Sequence, residues 1–130
     1  MLYEAAYDTK KADAFVVYLT QVFDDKNSIL VGYTGMSHLL LAKHGYNPYT
    51  QLKEFYKGRD LLEKAIKMDN NNIELRFLRL TVQSNAPFFL NYSGKIDDDK
   101  ELISKNYTKL EDVDLGSRIK SFFTRRKYML

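Results

Sequence analysis

The sequence predicts an all-α protein of five to seven helices, arranged as antiparallel hairpins. Three observations carry that expectation. Apolar residues recur at helical spacing over about 10–23, 28–44 and 48–68. Polar Asn- and Asp-rich stretches punctuate these runs, as helix stops and caps do. No pair of alternating runs flanks a hairpin turn, so no sheet is indicated.

The first long helix, over about 10–23, can be capped by Asp8 or Thr9 and carries the stripe Ala12, Phe15, Val16, Leu19, Val22 and Phe23. Upstream, Leu2 to Tyr7 reads as the tail of a helix with no capping residue before it. That pattern leads one to expect residues further upstream. Asp24 to Asn27 is a loop. The second long helix, 28–44, has Ile29, Tyr33, Met36 and Leu40 on its main face. Its other side carries Gly32, Gly35, Leu39 and Ala42, and the small residues among them would let another helix come close. Gly45 follows Lys43 and His44 and ends it.

Asn47-Pro48 reads as N-cap and first helical position of a helix over 48–68, with Leu52, Phe55, Tyr56, Leu62, Ala65 and Ile66 on its apolar side. Asp69 to Asn72 stops this helix and caps the next. The stretch from Glu63 to Tyr92 is expected to be the one around which the chain is organised. Within it, residues 73–85 place Ile73, Phe77 and Leu80 on one face and Leu75, Leu78 and Val82 on the opposite face. Such a helix is covered on two sides, so Phe77 and Leu78 should both be buried although adjacent. An extended reading of the same residues would need a bulge at 77–78 and a partner strand. Pro87 ends the helix, and Phe88-Phe89-Leu90 is expected to turn back into the core. A helix over about 98–107 follows, with Asp97, Asp98 and Asp99 matching its dipole. Asp114 is the expected cap of a last helix, 115–127, whose first turn Gly116 weakens.

The segment from Tyr33 to Asn85 resembles tetratricopeptide-type repeats. Gly45 stands where the small residue ends the first helix of a repeat. Gly58, Leu62 and Ala65 follow the spacing of the second helix, with Asn70 at the turn proline. Phe77, Leu80 and Thr81 then open a next repeat. The overall pattern also looks like small helical-repeat proteins of bacteria, which lend no activity. The tetratricopeptide resemblance implies a right-handed stack of helix hairpins with a concave face that binds peptides or protein segments.

Composition narrows the chemistry. With 130 residues, 45% hydrophobic and 28% charged, the chain is read as one domain, residues 1–130, with a substantial core. The net charge of +3 permits anionic partners without arguing for them. There is no cysteine, so neither a disulfide framework nor thiolate chemistry is available. No apolar run approaches the roughly 20 residues of a membrane-spanning helix. No secretory signal is visible; the cytoplasm is the default, and export is expected only if an upstream signal has been removed.

No catalytic residues, metal ligands or cofactors are indicated. His38 and His44 are six residues apart on one helix, about 240° around it, and read as structural. No nucleophile elbow or phosphate-binding glycine loop occurs. The most interesting polar residues are Arg76 and Arg79, which can point the same way and fork onto a carboxylate. The alternative is a structural ion pair with an acidic residue of a neighbouring helix, such as Glu54 or Glu63, and that reading is favoured. A ligand site, if present, would comprise Arg76, Arg79 and Gln83 with Asn85 and Tyr92 beside the Pro87 turn. Basic residues near the end, Arg118, Lys120, Arg125, Arg126 and Lys127, invite nucleic acid or a membrane surface. They equally suit a helix C-terminus, and nucleic acid is disfavoured. The favoured function is therefore a non-enzymatic interaction or scaffold module for a peptide or partner helix, helped by ten tyrosines. The alternative is a small enzyme or ligand-binding protein with a pocket near Pro87.

Overall fold

A computed structural model describes residues 2–130. Among them are seven α-helices and no strand: α1 (Leu2–Ala5), α2 (Thr9–Val22), α3 (Ser28–His44), α4 (Pro48–Met68), α5 (Ile73–Asn85), α6 (Ile96–Asn106) and α7 (Val113–Arg126). Short 3-10 turns occupy Phe88–Leu90 and Tyr107–Lys109. The chain divides into two compact units, Met1–Asn70 and Asn71–Leu130.

In the first unit the helix starts follow the capping chemistry. Asp8 accepts from the amides of Lys10 and Lys11, Asn27 from Leu30, and Asn47 from Tyr49 just after Pro48. The α3–α4 interface is the most extensive in the molecule. The two helices run antiparallel. Gly35 lies against Gly58, His38 meets Glu54, and the Gln51 side chain reaches the Ala42 carbonyl. The glycines are there for space. A Cβ on Gly58 would lie 2.6 Å from the Gly35 carbonyl oxygen and 2.9 Å from the Leu39 nitrogen. A Cβ on Gly35 would lie 2.7 Å from the Gly58 oxygen. The expected close approach on the small-residue side of α3 is thus a backbone-to-backbone crossing. Gly45 is not left-handed, with φ −70° and ψ 152°. A Cβ there would lie 2.7 Å from Gln51 Cγ, whose side chain caps the Ala42 carbonyl.

α3 is buried on nearly every side, from Val31 to Ala42, and its two buried hydroxyls bond back within the helix. Thr34 Oγ1 donates to the Leu30 carbonyl and Ser37 Oγ to that of Thr34. α2 buries Ala12, Phe15 and Leu19, whereas Val22 and Phe23 at its end are exposed. α1 is a single helical turn whose final carbonyls are capped from α3. Lys43 Nζ donates to Ala6, and the His44 ring nitrogen Nε2 lies 3.1 Å from the Ala5 oxygen.

In the second unit α5 is helical over the expected span, with Asn72 accepting from the Leu75 amide. Phe77 and Leu78 are both buried, as the two-faced pattern requires. Phe77 and Leu80 join Ile103 of α6 and Ile119, Phe122 and Phe123 of α7 in one core, with Phe77 edge-on to Phe122.

Two expectations for this unit are corrected. Phe88 and Phe89 do not enter the core: they are 94% and 72% exposed. After Pro87 the chain makes a 3-10 turn closed by the bonds Leu90 N–H to Pro87 O and Asn91 N–H to Phe88 O. With three residues per turn the side chains point in three directions, and Leu90 is the one that is half-buried. Asn91, at φ 51°, ends the turn in the left-handed region that Asn tolerates. Likewise Asp112, not Asp114, caps α7, accepting from the Leu115 amide; Asp114 lies inside the first turn and pairs with Arg118 four residues on.

Candidate functional site

The predicted polar residues of α5 converge on one carboxylate. The Asp99 side chain, on α6, is fully buried; Arg76 and Arg79 are only 7% and 4% exposed. Arg76 Nε donates to Asp99 Oδ1 at 2.6 Å. Arg79 forks across the carboxylate, Nε to Oδ2 at 2.9 Å and Nη2 to Oδ1 at 2.7 Å. Gln83 Nε2 completes the set, donating to Oδ2 at 2.9 Å. Each carboxylate oxygen thus accepts two hydrogen bonds, which fills its acceptor capacity. The Gln83 carbonyl oxygen accepts from the Lys95 backbone amide at 2.8 Å, so the same side chain anchors the start of α6. Among the described residues no buried side-chain nitrogen or oxygen lacks a partner.

The helices dictate this geometry. Arg76, Arg79 and Gln83 lie three and four residues apart, hence on one face of α5. Asp99 faces them because α6 runs antiparallel to α5, with Gln83 at Lys95 and Arg76 at Asp99. The ion pair expected for the arginines is therefore made by Asp99, an acceptor on an adjacent helix. Glu54, one of the acceptors considered, engages His38 Nδ1 at 2.6 Å instead. The sequence presents Asp99 as part of a dipole-matching triplet, but its position carries a second signal. It lies three residues after Ile96 and four before Ile103, on the apolar stripe of α6, where an acid must be paired.

The other predicted residues stand apart from this cluster. Asn85 is exposed at the end of α5; its Nδ2 donates to the Thr81 carbonyl and its Oδ1 accepts from Arg126 Nη2. Tyr92 is half-buried after the 3-10 turn. Among the described residues no group of three His, Asp or Glu side chains could hold a metal ion.

The first unit carries a different feature at the end of α3. Tyr46 and Tyr49, in and just after the α3–α4 link, are 96% and 76% exposed, and Tyr7 is 85% exposed. Lys43 brings Tyr7 to the same place: its Nζ bonds the Ala6 carbonyl and lies 5.5 Å from the centre of the Tyr7 ring. Comparison with known protein families, with curated proteins and with solved structures finds no match to this chain.

Proposed function

We propose that the chain is a non-enzymatic interaction module that binds a peptide or a partner helix, and that its contact surface is the tyrosine-bearing end of the first unit. The observation that carries this reading is the exposure of Tyr7, Tyr46 and Tyr49 around the C-terminal end of α3. Tyrosine offers a large apolar face and a hydroxyl at low entropic cost, which is why it is enriched in binding surfaces. The link between α3 and α4 is short and held by the Asn47 cap and the Gln51 bond, so the rings stand on a stiff base.

The glycine crossing of the α3–α4 hairpin supports the tetratricopeptide-like element of the proposal, in which stacked hairpins present a peptide-binding face. The arginine stripe supports placing the surface elsewhere. A ligand taking Arg76, Arg79 and Gln83 would have to displace a buried carboxylate that already holds all three. The test is selection of a random peptide library on the immobilised chain, followed by solution binding of the enriched peptides. Peptides should share a recognisable pattern, and Tyr46→Ser with Tyr49→Ser should weaken them at least about tenfold while the melting curve holds. Failure to enrich any peptide, or enriched peptides indifferent to both tyrosines, would overturn the reading.

A further inference from the structure

The second unit has a surface that the peptide-binding reading does not use. Phe88 and Phe89 form the tip of the turn after α5, exposed and edge-to-face with ring centres 6.3 Å apart. Nothing in their own turn requires two phenylalanines in water. The tip has a fixed base, since Pro87 precedes it and the left-handed Asn91 closes it. It also has charged neighbours. Arg126, in the last turn of α7, donates to Asn85, three residues before Phe88. The C-terminal end of α7 is thereby held beside the root of the aromatic tip, and Arg125, Arg126 and Lys127 are all exposed there.

Charge is distributed accordingly. The unit Met1–Asn70 has nine Lys and Arg against nine Asp and Glu, whereas Asn71–Leu130 has eleven against eight, so the whole net charge of +3 belongs to the second unit. Acidic side chains at the start of α6 lie toward the same end of α5, but Asp98 is already within 3.7 Å of Lys95 Nζ and Asp99 is consumed by the arginines.

We propose that the Phe88–Phe89 tip and the Arg125-Arg126-Lys127 end of α7 form a peripheral docking site for an anionic phospholipid surface. Two features favour a bilayer over an acidic protein segment. The rings stand out on a protruding turn, which suits a deformable interface that closes around them, whereas a peptide is held best in a concavity. The cations sit at the root of the tip, where they meet headgroups when the rings reach the acyl boundary. No helix among the described residues is long and apolar enough to cross a membrane, so the contact is peripheral.

The test is co-sedimentation of the full chain with phosphatidylcholine vesicles, with and without phosphatidylserine. Binding should require phosphatidylserine and fall as salt is raised. Arg125→Gln with Lys127→Asn, the asparagine chosen to keep the left-handed residue comfortable, should lower it about 25-fold, at about fivefold per cation. Phe88→Ser with Phe89→Ser should lower it about tenfold or more. All four side chains are exposed, so the melting curves should be unchanged; if the serine variant melts early, the charge variant carries the test alone. The proposal is overturned if the chain ignores phosphatidylserine vesicles or if its binding survives the substitutions. It is equally overturned if a soluble polyglutamate peptide, and not the vesicles, is what the same residues hold.

Discussion

Asp99 is an acid on an apolar stripe, and its surroundings decide what a change there must do. Its two oxygens face only donors: two arginines and an amide. Asparagine has the same shape but would turn its own N–H donors toward at least one of them and remove the negative charge that the two guanidiniums share. Breaking a buried pair in this way costs about 3–5 kcal/mol, against about 0–1 kcal/mol for an exposed pair. Asp99→Asn should therefore destabilise the protein by about 3–5 kcal/mol in urea unfolding. Arg79→Met should cost less, because it keeps the stem and leaves Asp99 with Arg76 and Gln83. An Asp99→Asn protein within about 1 kcal/mol of the parent would show that the cluster is not what holds α5 to α6. The arginines were legible as a paired stripe from their spacing. Their partner was not, because sequence shows which residues share a helix face but not which face of another helix lies opposite.

At the scale of the element, two glycines on helices make opposite predictions from the same chemistry. Gly58 of α4 and Gly116 of α7 both weaken a helix by about 1 kcal/mol relative to alanine. At Gly116 an added Cβ meets nothing within 4 Å, so Gly116→Ala should raise stability by up to about that amount. At Gly58 the Cβ would press on backbone atoms of α3, the Gly35 oxygen and the Leu39 nitrogen, which cannot swing aside as a side chain can. The helices would have to part, and overpacking of this kind costs about 1–3 kcal/mol. Gly58→Ala should thus lower the melting temperature while Gly116→Ala raises it; a shared sign would refute the crossing. Helix limits were the most legible feature of this chain. The α3, α4 and α5 spans match their expected residues because the polar loop Asp24 to Asn27, Asn47-Pro48, the Asp69 to Asn72 turn and Pro87 bound them clearly. Errors fell where such chemistry was ambiguous. Asp112, two residues before the expected Asp114, is an equally good cap by residue type, α6 begins at Ile96 without a side-chain cap, and a three-residue turn has too short a pattern to say which ring faces in.

For the whole molecule, the helical class followed from periodicity, and the burial of both Phe77 and Leu78 followed from the two apolar faces of α5. The distribution of electrostatic stabilisation was not legible, since composition counts charges without saying which are dry. The structure separates them sharply. Solvent-accessible pairs include Arg59 with Asp60, Lys105 with Glu101, and Arg118 with Asp114, in which each acid is exposed and the arginines are half-buried. The Lys105 ammonium is held above its usual pKa, first by its hydrogen bond to Glu101 and then by that residue's charge, yet its side chain is exposed. Such pairs contribute little, and salt screens what they do contribute. The Arg76–Arg79–Asp99 cluster is shielded from mobile ions by its burial. Urea unfolding in low and in high sodium chloride should therefore give stabilities within about 1 kcal/mol of each other. In the Asp99→Asn protein the loss should persist at both salt concentrations. A parent protein that loses several kcal/mol on screening would mean that the exposed pairs, acting together, outweigh the buried carboxylate.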